Sequence, residues 1–226
     1  MLRHSTIIWL LAGSWLFVPS ATVADTRPHL IVLMDVSGSM GSTAGETGQT
    51  RLVVAQRAAS AILSELDHVP GMDVMVSFYT WAGTLHAPRI EATSTAEVSG
   101  RRLAADLAGE RFVSSGGTNT GLALQYLLEM YGLTCRPISI VVLTDDPPTD
   151  RVHFANQAEV AQQRGVSLMY VFTAHRNVNL AINYFAEHAN AVPTDWIVYP
   201  SANPPDWHNF LLLSLLQAKP YNCIFG

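Results

Sequence analysis

Apolar runs alternate with helix-period segments along the whole chain. Residues 29–35 (HLIVLMD), 72–79 (MDVMVSFY), 138–144 (ISIVVLT) and 166–173 (VSLMYVFT) are apolar at most positions and rich in β-branched and aromatic side chains. A strand with one wet face alternates apolar and polar residues. Runs without that alternation predict strands buried on both faces, as in a parallel sheet between two helical layers. Between them, residues 51–66 place Val54, Ala58, Ala61, Ile62 and Leu66 on one helical face, and residues 120–131 group Leu124, Leu127 and Leu128. Helices are also expected at 95–107, at 154–164 before the stop signal Gly165, at 180–188, and at 206–217 after Pro204-Pro205-Asp206. Residues 83–90 predict an antiparallel edge strand and residues 197–199 a last short strand. The alternation of strand and helix predicts an α/β, doubly wound, mostly parallel β-sheet flanked by helices, Rossmann-like in its winding. In such sheets ligands sit beyond the carboxyl ends of the strands, so the residues that end strands carry the functional question.

The first residues change the picture of where this domain begins. Arg3 and His4 precede an apolar run from Ile7 to Val18, which Pro19 and Ser20 break before the small residues up to Ala24. That order is the pattern of a secretory signal peptide, with cleavage expected after Ala24. The run is shorter than the ~20 apolar residues a membrane span needs. The reading is therefore residues 1–24 as leader and 25–226 as one domain, secreted or periplasmic, with no stable membrane span after cleavage. The formal net charge is −5 and Lys219 is the only lysine, so no basic patch beyond Arg101-Arg102 is available for phosphate backbones. Nucleic acid is excluded as an expected partner on that ground.

Candidate chemistry gathers at strand ends. The first strand closes in Asp35-Val-Ser37-Gly-Ser39, with an oxygen-bearing side chain at every second residue. Another run closes in Thr144-Asp145-Asp146, and Ser114-Ser-Gly-Gly-Thr118-Asn-Thr120-Gly121 opens a helix between them. If the two strands are neighbours, all three segments converge, and hard cations such as Mg2+ take oxygen ligands of this kind.

The segments DVSGS, GGTNTG and VVLTDD resemble the von Willebrand factor A (vWA) family in residue type, order and spacing, over about residues 28–216. The resemblance implies a metal-ion-dependent adhesion site. Asp35, Ser37 and Ser39 match its first ligand segment, Thr118 its loop threonine and Asp145 its closing aspartate. It implies a bound Mg2+, with Mn2+ or Ca2+ as alternatives, and a protein partner whose Glu or Asp carboxylate completes the ion's coordination. Two carboxylates with three neutral hydroxyls leave such an ion electrophilic toward that incoming acid. Two departures stand out: Asp146 replaces the family's usual glycine, and Tyr79-Thr80-Trp81 replaces a small polar turn. Asp146, Trp81 and His175 are therefore the expected rim of a partner-binding surface. The fold also implies that Cys135 and Cys223, each following a helix, lie at the face opposite the metal, where they would form a disulfide.

Competing readings find less support. No G-x-S-x-G elbow, dinucleotide-binding glycine pattern or P-loop occurs. Of the metal-dependent hydrolase or phosphatase-like alternatives, a phosphatase of the haloacid dehalogenase type would need a second acid two residues after Asp35, where Ser37 stands. No catalytic residue is assigned and the expectation is not an enzyme. A subunit of an ATPase-driven assembly or metal-insertion complex is a further alternative, which the leader disfavours. A role within an envelope or surface assembly fits a secreted domain better.

Overall fold

The computed structural model describes residues 25–45, 48–132, 134–173, 178–201, 203 and 205–221. Residues 1–24, read above as a leader, and His175 and Cys223 lie outside the described residues. The elements follow in order: β1 (His29–Asp35), α1 (Arg51–Glu65), β2 (Met75–Trp81), β3 (Ile90–Ser94), α2 (Gly100–Gly109), α3 (Thr120–Tyr131), β4 (Ile138–Thr144), α4 (Arg151–Gln163), β5 (Ser167–Thr173), α5 (Val178–His188), β6 (Trp196–Tyr199) and α6 (Trp207–Gln217).

Six strands form one sheet in the order β3-β2-β1-β4-β5-β6. Every pairing is parallel except β2 with β3. The expected doubly wound α/β sheet with an antiparallel edge strand is what forms. The two faces of β1 show why its sequence does not alternate. Leu30, Val32 and Met34 pack toward Ala58 and Ile62 of α1, Leu107 of α2 and Leu211 of α6. Ile31 and Leu33 pack toward Leu124 and Leu127 of α3, Phe154 of α4 and Phe185 of α5. Both faces are dry along Leu30 to Met34, so every position of that stretch is apolar.

Several boundaries differ from the sequence reading, and three of the differences have a local reason. The edge strand is Ile90–Ser94, not 83–90. Residues 82–89 instead fold back over the end of β2, with a bridge between Trp81 and Leu85, and Pro88 has no N–H to give a ladder. The helix expected from residue 95 starts at Gly100, where the Ser99 side chain accepts from the Arg102 N–H. Gly100 is held by Asp67 at 2.6 Å, and a Cβ there would stand 2.1 Å from the Leu63 carbonyl oxygen, so α1 and α2 meet only through a glycine. Finally, β2 runs on to Trp81, two residues beyond the expected end.

Candidate metal centre

β1 and β4 are adjacent and parallel at the middle of the sheet, and the chain winds outward in opposite directions from them. This is the switch point at which the carboxyl ends of the strands open a crevice. Asp35 is the last residue of β1, and Asp145 follows the last residue of β4.

Both carboxylates are fully buried. One oxygen of Asp35 accepts the Ser37 backbone N–H at 2.7 Å, and the other accepts the Thr144 hydroxyl at 2.8 Å. These bonds fix the carboxylate at the base of the crevice. Past Asp35 the chain turns through a single 3-10 turn, Gly38–Gly41, which brings the Ser37 and Ser39 hydroxyls to 3.1 Å of each other. The Ser39 hydroxyl donates to Asp145 Oδ1 at 3.0 Å, so the first and last segments are joined directly.

The middle segment is pinned from three sides. The Gly38 N–H donates to the Gly116 carbonyl at 3.0 Å and the Ser115 N–H to the Val36 carbonyl at 2.8 Å. The Asn119 N–H reaches the Ala82 carbonyl at 3.0 Å, and the Thr149 N–H reaches the Thr118 carbonyl at 2.9 Å. Thr118 is thereby set, nearly buried, into a cleft of about 560 Å³ whose wall also carries Ser37, Ser39 and Asp146. The five residues expected from the sequence, Asp35, Ser37, Ser39, Thr118 and Asp145, converge on one crevice.

The electrostatics of that crevice ask for a cation. Burial, and then the neighbouring Asp145 charge, push the Asp35 carboxyl up to about 7. Burial also raises Asp145, against the Arg51 hydrogen bond that lowers it. Two neighbouring buried carboxylates are stable as anions only with positive charge beside them, of which Arg51 supplies a part at Asp145. The donors are all oxygen, as a hard divalent ion requires. Among the described residues no group of three or more His, Cys, Asp or Glu side chains could hold a metal, so a centre here is of the mixed carboxylate and hydroxyl kind.

A family model for the von Willebrand factor type A domain matches residues 30–147, more than half the chain. The chain belongs to the von Willebrand factor type A domain family. Solved vWA structures share its fold. The manganese-loaded TRAP protein of Plasmodium vivax superposes with a TM-score of 0.59 at 16% identity, covering 87% of this chain and 76% of that one. The vWA domain of SpRpn10 gives 0.55 at 15% identity, covering 84% and 96%. Proximal thread matrix protein 1 of the mussel byssus, described with a zinc-occupied MIDAS motif, gives 0.57 at 13% identity, covering 88% and 48%. No curated protein matches the chain by sequence.

The vWA crevice also corrects and extends the sequence reading. Trp81 is not on the rim: it is fully buried among the residues packed under α3–α5, because β2 extends far enough to carry it into that layer. Asp146 is half-buried and does line the cleft, where its charge pushes Asp145 upward. His175 lies outside the described residues. The Asp150 carboxylate accepts the Gly121 and Leu122 N–H groups at 3.1 and 2.9 Å, satisfying the start of α3. Arg51 was not expected in the site at all, yet its guanidinium is ion-paired with Asp145. One signal was available: Arg51 is the first residue of α1, and a cation at the positive end of a helix dipole needs a local anion.

Proposed function

We propose that this vWA domain holds a divalent cation at Asp35, Ser37, Ser39, Thr118 and Asp145, and through it binds an acidic side chain of a protein partner. The observation that carries the reading is the convergence of these oxygen donors on one crevice. When bound, a divalent ion supplies an electrophilic point for a partner carboxylate. The chain's own residues shape that point. Thr144 and the Ser37 N–H hold Asp35 in place, Ser39 ties the first loop to Asp145, and Asn119 and Thr149 set the height of Thr118. Family members with manganese or zinc bound lend support to the metal. Mg2+ is the proposed native ion, because two carboxylates and three hydroxyls suit a small hard cation that keeps water for exchange.

Domains of this family are generally non-catalytic interaction modules, and this chain is read as one. Its place is proposed to be outside the cytoplasm, in an envelope or surface assembly, with residues 1–24 removed and Cys135 joined to Cys223. Intact-mass measurement of the exported protein checks both: the expected product begins at Asp25 and has no alkylatable thiol until reduced. Capture of partners from the native culture medium or periplasm in Mg2+ tests the binding role. Partners that leave in EDTA and return with Mg2+ are expected, and capture indifferent to chelation argues against a metal-borne contact.

A further inference from the structure

The cleft beside the proposed metal centre carries a second cationic feature. Arg151, the first residue of α4, lines the same cleft as Ser37, Ser39 and Thr118. Its side chain is exposed, and among the described residues it pairs with no carboxylate. The neighbouring Asp150 carboxylate is turned toward the N–H groups that open α3, which it accepts at 3.1 and 2.9 Å. Arg151 is nonetheless positioned. The guanidinium carbon lies 5.4 Å over the Tyr184 ring, and the Tyr184 hydroxyl donates to the Arg151 carbonyl at 3.0 Å. Tyr184 is itself nearly buried and packs against Phe154, so the clamp stands on the core. The ring contact sets the guanidinium over Tyr184, and the carbonyl bond fixes the Arg151 backbone beneath it at the cleft wall.

We propose that Arg151 is a second anchor, and that the partner presents two carboxylate side chains close together: one for the metal and one for Arg151. This rests on the metal reading above. A guanidinium matches a carboxylate with a planar pair of N–H donors, which an ammonium cannot do. Arg151 therefore sets which acidic partners bind, while the metal ligands set whether any does.

The test uses the exported protein loaded with Mn2+, and fluorescein-labelled, capped hexapeptides read by anisotropy. One peptide set carries a single Glu among Gly and Ser; the other carries two Glu at separations of one to four residues. Mn2+ affinity is measured first, by the electron paramagnetic resonance signal of free ion. The best two-Glu peptide should bind about tenfold more tightly than the one-Glu peptide, the scale of one added charge-assisted hydrogen bond. Arg151→Gln should erase that advantage while Mn2+ affinity is kept, and Arg151→Lys should keep part of it. No advantage at any separation, or an advantage that survives Arg151→Gln, overturns the second anchor alone. Failure to bind Mn2+ at all overturns the metal reading beneath it. Free glutarate competing as strongly as the best peptide overturns the assignment to a protein segment.

Discussion

The guanidinium of Arg51 is ion-paired with the buried carboxylate of Asp145, the acid that closes the metal crevice. Arg51 also reaches toward the Ser39 carbonyl at 3.5 Å, so one side chain from α1 touches two of the three converging segments. A positive charge is thus built into the crevice by the chain itself. It offsets the repulsion between Asp35 and Asp145 that would otherwise open the loops.

Arg51→Gln should therefore cost the metal-free protein about 3 kcal/mol, since removing one partner of a buried pair strands the other. The same variant should gain more from a divalent ion than the wild type, because the ion then replaces the positive charge lost from beside Asp145. Thermal melts with EDTA and with saturating Mn2+ check this: a lower melting temperature without metal and a larger metal-induced rise. Identical melts for the two proteins would mean that the pair does no work in the fold.

The ends of β1 and β4 and the five crevice residues were legible in the sequence because they depend on short spacings. DVSGS fixes three donors within five residues, and an apolar run closing in Asp145 needs only its neighbour to complete the crevice. Arg51 and Asp150 were not legible, because each acts on a group far along the chain, Asp145 and the start of α3. Trp81 was misread for a different reason. A strand that is dry on both faces shows no alternation to mark where it stops, so two further residues of β2 were taken for a loop. The edge strand slipped similarly, since the turn containing Pro88 is decided by what β2 leaves uncovered.

His29 gives a pH dependence of known sign. It is buried at the start of β1, 2.9 Å from the Ser77 hydroxyl and edge-on to Tyr131. Burial, and then the Arg136 charge, lower it to about 4 from an ordinary 6.5. Between those values the unfolded chain holds the proton and the folded chain does not, so stability rises with pH. The contribution is complete above pH 6.5 and is lost as the pH falls toward 4. Its size is roughly 3 kcal/mol over that window. Urea melts of wild type and His29→Gln at pH 7 and pH 4.5 isolate it. The wild type should lose more stability on acidification than the variant, and equal losses would remove His29 as the cause.

Gly121 lies where α3 approaches α4. A Cβ there would sit 2.4 Å from the Phe154 nitrogen and 2.8 Å from Asp150 Oδ2, displacing the group that satisfies the start of α3. Gly121→Ala should destabilise by roughly 1–3 kcal/mol, as overpacking does. It should also weaken metal binding, because Thr118 is tied to the same turn through Thr149. Gly109→Ala, at a position with open space around it, is the control and should be neutral or slightly stabilising. Calorimetric melts of the two variants decide it; equal behaviour would contradict the close approach.

The claim on which the rest depends is that five side chains form one divalent-ion site. Isothermal titration of Mg2+ and Mn2+ into the wild-type domain, Asp35→Ala and the double variant Ser37→Ala with Ser39→Ala tests it most directly. One ion per chain in the wild type, no measurable binding in either variant, and unchanged circular dichroism in all three are the expected result. Equal ion affinity in the wild type and both variants, or no binding in the wild type, would contradict the account.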